Sequence, residues 1–307
     1  MRAIRRTKTV EGTSIPGIIH NGGSYFYINV DVYEDGMVNC WELTDLKGLS
    51  GKIQSGWLTP AVPAGEQLSI HGLGAYTVES AKWTYNEASY YQHVKDTVAC
   101  LNPELTNIYE ISVREQERNE ARRIAHSPTA TEFYVSSEIF YQTVEGKSIH
   151  LFMKYGGQNY LAAAVVYKDG RVVLYNLPAE AEYRLEELDG LFADGTLFTA
   201  IDAPTPVRIL QLGEVTLGAS LYSADAQEKL KELHNLHKQL NGEQTAHEAC
   251  RAAYYAYLEN PSEYYREQLR IKYELVPEHE RMYLGDMDTK DWDYQRILYH
   301  PEETREV

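Results

Sequence analysis

"VEGTSIP" spans residues 10–16 and "VEGKSIH" spans residues 144–150, so one chain carries nearly the same phrase twice, 134 residues apart. The match continues at that offset. Gly22-Gly23 falls on Gly156-Gly157, and Tyr33-Glu34-Asp35-Gly36-Met37-Val38 falls on Tyr167-Lys168-Asp169-Gly170-Arg171-Val172. After a length change, "GWLTPAVPAGEQLSIHGLGAYTV" (56–78) lies over "GTLFTAIDAPTPVRILQLGEVTL" (195–217). There Gly56, Leu58, Ala61, Ala64, Ile70, Leu73, Gly74 and Thr77 recur as Gly195, Leu197, Ala200, Ala203, Ile209, Leu212, Gly213 and Thr216. Chance explains a co-linear series of matches poorly. Self-similarity at a fixed offset therefore sets the architecture before any local reading. We read two copies of one unit, at roughly residues 8–80 and 142–220.

The unit reads as β. In the first copy Phe26, Ile28, Val30 and Val32 alternate with Tyr25, Tyr27, Asn29 and Asp31, the period of two of a half-buried strand. Asp35-Gly36 supplies a hairpin turn, because both residues tolerate positive φ. Val38, Cys40 and Leu43 belong to the return strand. The second copy repeats the pattern with Val165 and Tyr167, Asp169-Gly170, then Val172, Leu174 and Asn176. Further strands are expected at Trp57–Val62, Gln67–His71 and Ala75–Glu79, the first an edge because of Pro60 and Pro63. Such short strands suggest a small antiparallel barrel or a bent sheet.

Helices separate and follow the units. Ala88, Tyr91, Val94, Val98 and Leu101 share a face, and Asn102-Pro103 stops that helix. Val113–His126 is charged, either an exposed helix or a linker. Leu230, Leu233, Leu236 and Leu240 form a stripe ended by Gly242. Thr245 and Glu248 form a capping box. Asn260-Pro261 reads as a helix start with Asn as N-cap. The acidic tail from Glu278 onward reads as less ordered. The expected fold is α+β: a first β unit with helices over 1–126, a diverged second unit over 127–222, and a helical segment over 223–307.

Composition narrows the function. The formal net charge of −16 repels phosphate backbones and attracts a basic partner, so nucleic acid is disfavoured and a basic protein partner expected. No apolar run approaches the ~18–20 residues that span a bilayer, and the basic N-terminus lacks the apolar core of a secretory signal. Three widely spaced cysteines, Cys40, Cys100 and Cys250, argue against a disulfide framework and fit a reducing cytoplasm, as buried or inert thiols.

The chemical motifs fail on inspection. "EGKSI" (145–149) holds the GK[ST] of a phosphate loop, but Tyr141 stands where the loop needs its first glycine. "HGLGAY" (71–76) lacks the third glycine of a dinucleotide motif. "DMDTKDWD", with Asp286, Asp288, Asp291 and Asp293, lacks the central glycine and terminal glutamate of a calcium loop. His234 and His237, or His247 and Cys250, have metal-compatible spacing but equally describe polar helix faces. No metal and no cofactor is expected. Positions shared by the two copies are mostly glycines, turn residues and apolar residues. His71, Asn39 and Glu42 become Leu210, Val173 and Asn176, which weighs against a duplicated active site.

The stretches "GTSIPGIIHNGGSYFYINVDVYEDGMVNCWEL", "GWLTPAVPAGEQLSIHGLG" and "KWTYNEASYYQHVKDTVACLNPELTNIYE" together resemble an uncharacterised family of bacterial proteins over residues 8–111. The resemblance implies a small, acidic, soluble protein and, by association with polymorphic toxin systems, an immunity-like role. It brings no catalytic residues. The expected function is thus a non-enzymatic protein-binding module neutralising a basic toxin domain, with Tyr25, Tyr27, Asp31, Glu34, Trp41, Glu42 and Trp57 as contact residues. Two alternatives stay open: an enzyme using His71, Glu42 and Tyr33 between the units, and a scaffold dimerising through the leucine stripe.

Overall fold

A computed structural model of the chain describes residues 10–124, 146–285 and 290–303. The fold is mixed α/β. The described chain divides into two compact units, neither of them one stretch of sequence. Unit 1 takes in the described parts of Met1–Ile70, Thr77–Val144 and Ile209–Leu217, and unit 2 those of His71–Tyr76, Glu145–Arg208 and Gly218–Val307.

The first repeat forms β1 (Gly12–Asn21), β2 (Ser24–Tyr33), β3 (Val38–Asn39), β4 (Leu43–Thr44), α1 (Leu46–Gln54), β5 (Leu58–Thr59), β6 (Gln67–Ile70) and β7 (Gly74–Trp83). Two helices follow, α2 (Glu87–Leu101) and α3 (Val113–Ile124). The second repeat forms β8 (Gly146–Tyr155), β9 (Gln158–Tyr167), β10 (Arg171–Tyr175), β11 (Ala181–Arg184), α4 (Leu188–Ala193), β12 (Leu197–Phe198), β13 (Thr205–Ile209) and β14 (Gly213–Ser223). Then come α5 (Ala226–Leu240), α6 (Ala246–Glu259), α7 (Glu263–Glu274), a 3₁₀ segment at Glu278–Tyr283 and α8 (Trp292–Tyr299).

The pairing registers recur between the repeats. β1 and β2 pair antiparallel from Gly12↔Tyr33 to Asn21↔Ser24, and β8 and β9 from Gly146↔Tyr167 to Tyr155↔Gln158. Gly22-Gly23 and Gly156-Gly157 close these hairpins with both φ positive, at 59° and 79° and at 57° and 78°. Such a turn matches the twist of its strands. β2 then takes β6 in parallel with Phe26 opposite Ser69, and β9 takes β13 with Tyr160 opposite Arg208. On the other side Ile19 faces Leu58, and Met153 faces Leu197. As expected from its prolines, β5 is an edge strand, though only two residues long.

A helix lies over each hairpin. Asn86 caps α2 by accepting from Ser89 N, and Asp225, 139 residues on, caps α5 by accepting from Glu228 N. Each helix has 15 residues. α2 packs on β2, and α5 packs on β8 and β9. Leu230 and Leu233 of the leucine stripe are buried in that contact, so half of the stripe belongs to the core of unit 2. The inward face of α2 is Tyr90, Val94 and Val98; Tyr90 replaces the expected Tyr91, whose hydroxyl instead donates to Leu46 O.

Several expectations need correction. Trp57–Val62 and the first return strand are shorter than read, because Pro60 and the positive φ of Trp41 (72°) interrupt them. Asn260 is the C-cap of α6; Ser262 caps α7, since Pro261 separates two helices instead of starting one. The segment after Glu278 is folded over most of its described length. Leu284 and Tyr294 join Cys250, Leu269, Tyr273 and Val276 in a buried cluster, whose apolar burial outweighs the acidic composition. Val113–Ile124 is helical. Cys40 and Cys250 are buried, but Cys100 is exposed. Among the described residues, no helix is long and apolar enough to cross a membrane.

Candidate functional site

Unit 1 brings some of the expected contact residues together and withdraws others. Tyr27 is buried, with its hydroxyl pKa pushed up by desolvation. Strand alternation placed it outward, but β2 is covered on both faces: Tyr27 and Ile28 are consecutive buried residues, as are Val32 and Tyr33. Tyr27 is therefore no surface contact. Tyr25 is half-buried and stacks on His20, ring centroids 4.4 Å apart. Asp31 is half-buried and accepts from Ser14 Oγ at 2.6 Å and Asn39 Nδ2 at 3.4 Å, which ties it to the hairpin. Glu34 is half-buried at the turn, where its N–H donates to Glu11 O.

Trp41, Glu42 and Trp57 remain presented. The β2–β3 ladder stops at Asn39, and the chain turns through Trp41 at φ 72°. This places the indole 59% exposed, with its ring 5.6 Å from Phe26. Lys52, from α1, lies 4.1 Å over the Trp57 ring and 2.8 Å from Glu42 Oε2. A carboxylate beside an aromatic face is a cation receptor. Here it holds the chain's own lysine. Gly48, Gly51 and Ser55 of α1 form the small-residue wall of a shallow groove completed by Glu42, Lys52 and Trp57. Cys40, next to Trp41, is held by burial well above the ordinary thiol range, at about 11, and is not a nucleophile.

Unit 2 holds a polar cluster that the sequence did not reveal. Lys229 has no exposed surface; its Nζ donates to Glu232 Oε2 at 2.6 Å and to Gly72 O at 3.1 Å. Glu232 Oε1 lies 3.4 Å from His279 Nε2, and the His279 ring stands edge-on to His71 at 5.9 Å. Burial lowers the Lys229 pKa. Burial opposes ionisation of Glu232, but the His279 hydrogen bond and the Lys229 ammonium outweigh it and hold the carboxylate ionised. Glu280 is pushed up by burial and by the nearby Glu232 charge. Burial drives His150 down to about 4.

The repeat offsets locate this cluster. Lys229 and Glu232 stand where α2 has Tyr90 and His93, and His150 stands where β1 has Pro16. In unit 1 the Tyr90 hydroxyl donates to Pro16 O at 2.9 Å. In unit 2 the same helix position carries a buried charge. A charged residue directly before each buried leucine of the stripe, Lys229 before Leu230 and Glu232 before Leu233, was the available sequence signal.

His71 belongs to unit 2, Tyr33 and Glu42 to unit 1. His237 Nε2 lies 3.1 Å from Lys168 O, and His247 Nε2 lies 2.9 Å from Tyr283 O. Asp291 is buried and accepts from Tyr273 Oη at 2.7 Å. Asp286 and Asp288 lie outside the described residues.

The family described as Domain of unknown function (DUF7638) matches residues 1–105 and 134–244, and the chain belongs to it. A second family, Domain of unknown function (DUF7639), matches residues 245–306, the segment that builds the α6–α8 cluster. No curated protein and no solved structure matches the chain.

Proposed function

We propose that the chain is a non-enzymatic protein-binding protein that takes a basic partner on the face of unit 1 carrying Trp41, Glu42 and Trp57. The observation that carries this reading is Trp41. A left-handed backbone at a bulky residue costs about 1–3 kcal/mol, and here it projects an aromatic ring into solvent. The second copy turns with Asn176 at φ 62°, a residue type that tolerates this conformation, so the turn itself does not call for an exposed indole. The exposure helps an interface, where tryptophan is a preferred anchor. Lys52 occupies the adjacent receptor, so a partner's arginine would exchange with it between Trp57 and Glu42. The charge of −16 would speed the approach of such a partner.

In this reading the chain is two copies of one bent-sheet unit, each with its covering helix, followed by C-terminal helices. The shared registers support it. The second copy continues its ladder through Tyr175 and has Asn176 where the first has Glu42, so only the first copy presents the surface. Neutralising a basic toxin domain is a use that suits such a face.

The test is association kinetics with the partner recovered on full-length bait. Glu42→Lys is expected to slow association and flatten its salt dependence. Unchanged kinetics would refute the assignment of this face.

A further inference from the structure

We propose that Glu232, His279 and Glu280 of unit 2 bind one divalent transition-metal ion of the zinc class. One ligand atom from each of the three lies within 4.8 Å of the others. Donors of a tetrahedral zinc ion, about 2.0–2.1 Å from the metal, stand roughly 3.3 Å apart. Glu232 Oε1 and His279 Nε2 are 3.4 Å apart, already at that edge length. One imidazole and two carboxylates form a nitrogen–oxygen set suited to zinc and its neighbours. A water molecule would complete the fourth position.

The surroundings fit the role. Lys229 donates to the far oxygen of Glu232 and is itself fixed by Gly72 O, so Oε1 is turned towards His279. Outer-shell partners of this kind orient a ligating carboxylate. The two carboxylates exceed the single buried ammonium in charge, and a bound cation would offset the excess.

Gly72 gives an independent sign. Its φ is 69°, and Gln211, 139 residues on, adopts 68°. Positive φ alone therefore does not demand glycine at this turn. A Cβ on Gly72 would instead approach the cluster's side-chain ends, 3.2 Å from His279 Nε2 and 3.4 Å from Lys229 Nζ. The first copy keeps its turn clear beside the ligand atom; the second copy does not need to.

The test uses the full chain, stripped with chelator and titrated with Co²⁺ and then Zn²⁺. We expect one ion per chain, with visible d–d absorption of tetrahedral Co²⁺ that Zn²⁺ abolishes. His279→Ala and Glu280→Gln should each weaken affinity at least about tenfold. Because His279→Ala could disturb the fold, melting gives a second reading: saturating Zn²⁺ should raise Tm in the parent and not in Glu280→Gln. Absence of stoichiometric binding at micromolar free metal, or a Glu280→Gln protein that binds and is stabilised like the parent, would overturn the proposal.

Discussion

Trp41 and Gly17 show how single residues divide between function and packing. At Trp41 the backbone wants glycine and the sequence supplies an indole. Trp41→Gly should leave Tm unchanged or raise it, because it removes the strain while giving up a tilted ring contact with Phe26. A clear fall in Tm by calorimetry would make Trp41 structural. Gly17 is the converse. A Cβ there would meet Val30 Cγ2 at 2.6 Å and the Tyr90 hydroxyl at 2.7 Å. Gly17→Ala should cost about 1–3 kcal/mol by overpacking in denaturant unfolding, with part regained in Gly17→Ala/Tyr90→Phe. Alternation left the face of Trp41 open, and it is exposed; Glu42 is half-buried, and Tyr27 was not legible as core. Alternation assigns a face only when one face is wet along its length, and on the outer face of β2 Tyr27 and Tyr33 are buried while Tyr25, Asn29 and Asp31 are half-buried.

At the scale of elements, α2 and α5 hold the two hairpins by different means. The Tyr90 hydroxyl reaches Pro16 O, whereas α5 buries the Lys229–Glu232 pair. Lys229→Met leaves a buried carboxylate without its ammonium and should destabilise by about 3–5 kcal/mol. Lys229→Met/Glu232→Leu should recover much of that loss, because neither charge is then stranded. Equal destabilisation in the single and double variants would refute this. The capping residues Asn86 and Asp225 sit at the repeat offset, so the helix equivalence was written in the sequence. It escaped a comparison based on identities because the helix faces diverged: Tyr90 against Lys229 and Val98 against His237. The helix α1 also escaped, because Gly48 and Gly51 break helical propensity.

For the whole molecule, the mixed helix and strand content was legible and the division into units was not. Glycines and turn residues fix backbone geometry locally, so they carried the registers across both copies. The discontinuous grouping, with His71–Tyr76 in unit 2 and Ile209–Leu217 in unit 1, depends on tertiary packing that no local pattern encodes. The same limit hid the polar cluster of unit 2, whose members come from positions 71, 229, 232 and 279–280.

Global stability should also depend on pH through His150. Its folded pKa of about 4 lies below the ordinary 6.5, so the unfolded chain binds the proton more readily. Its contribution is complete above 6.5 and is lost as pH falls from 6.5 towards 4. Urea midpoints taken across that window should fall with pH, and His150→Phe should flatten the fall.

The most direct test of the partner surface is calorimetric titration of the partner recovered on full-length bait into parent and Trp41→Gly protein. Binding that weakens by about 2 kcal/mol or more, the size of an interface hot spot, in a variant that melts no lower than the parent is the result this account predicts. Equal affinity for both proteins would contradict it.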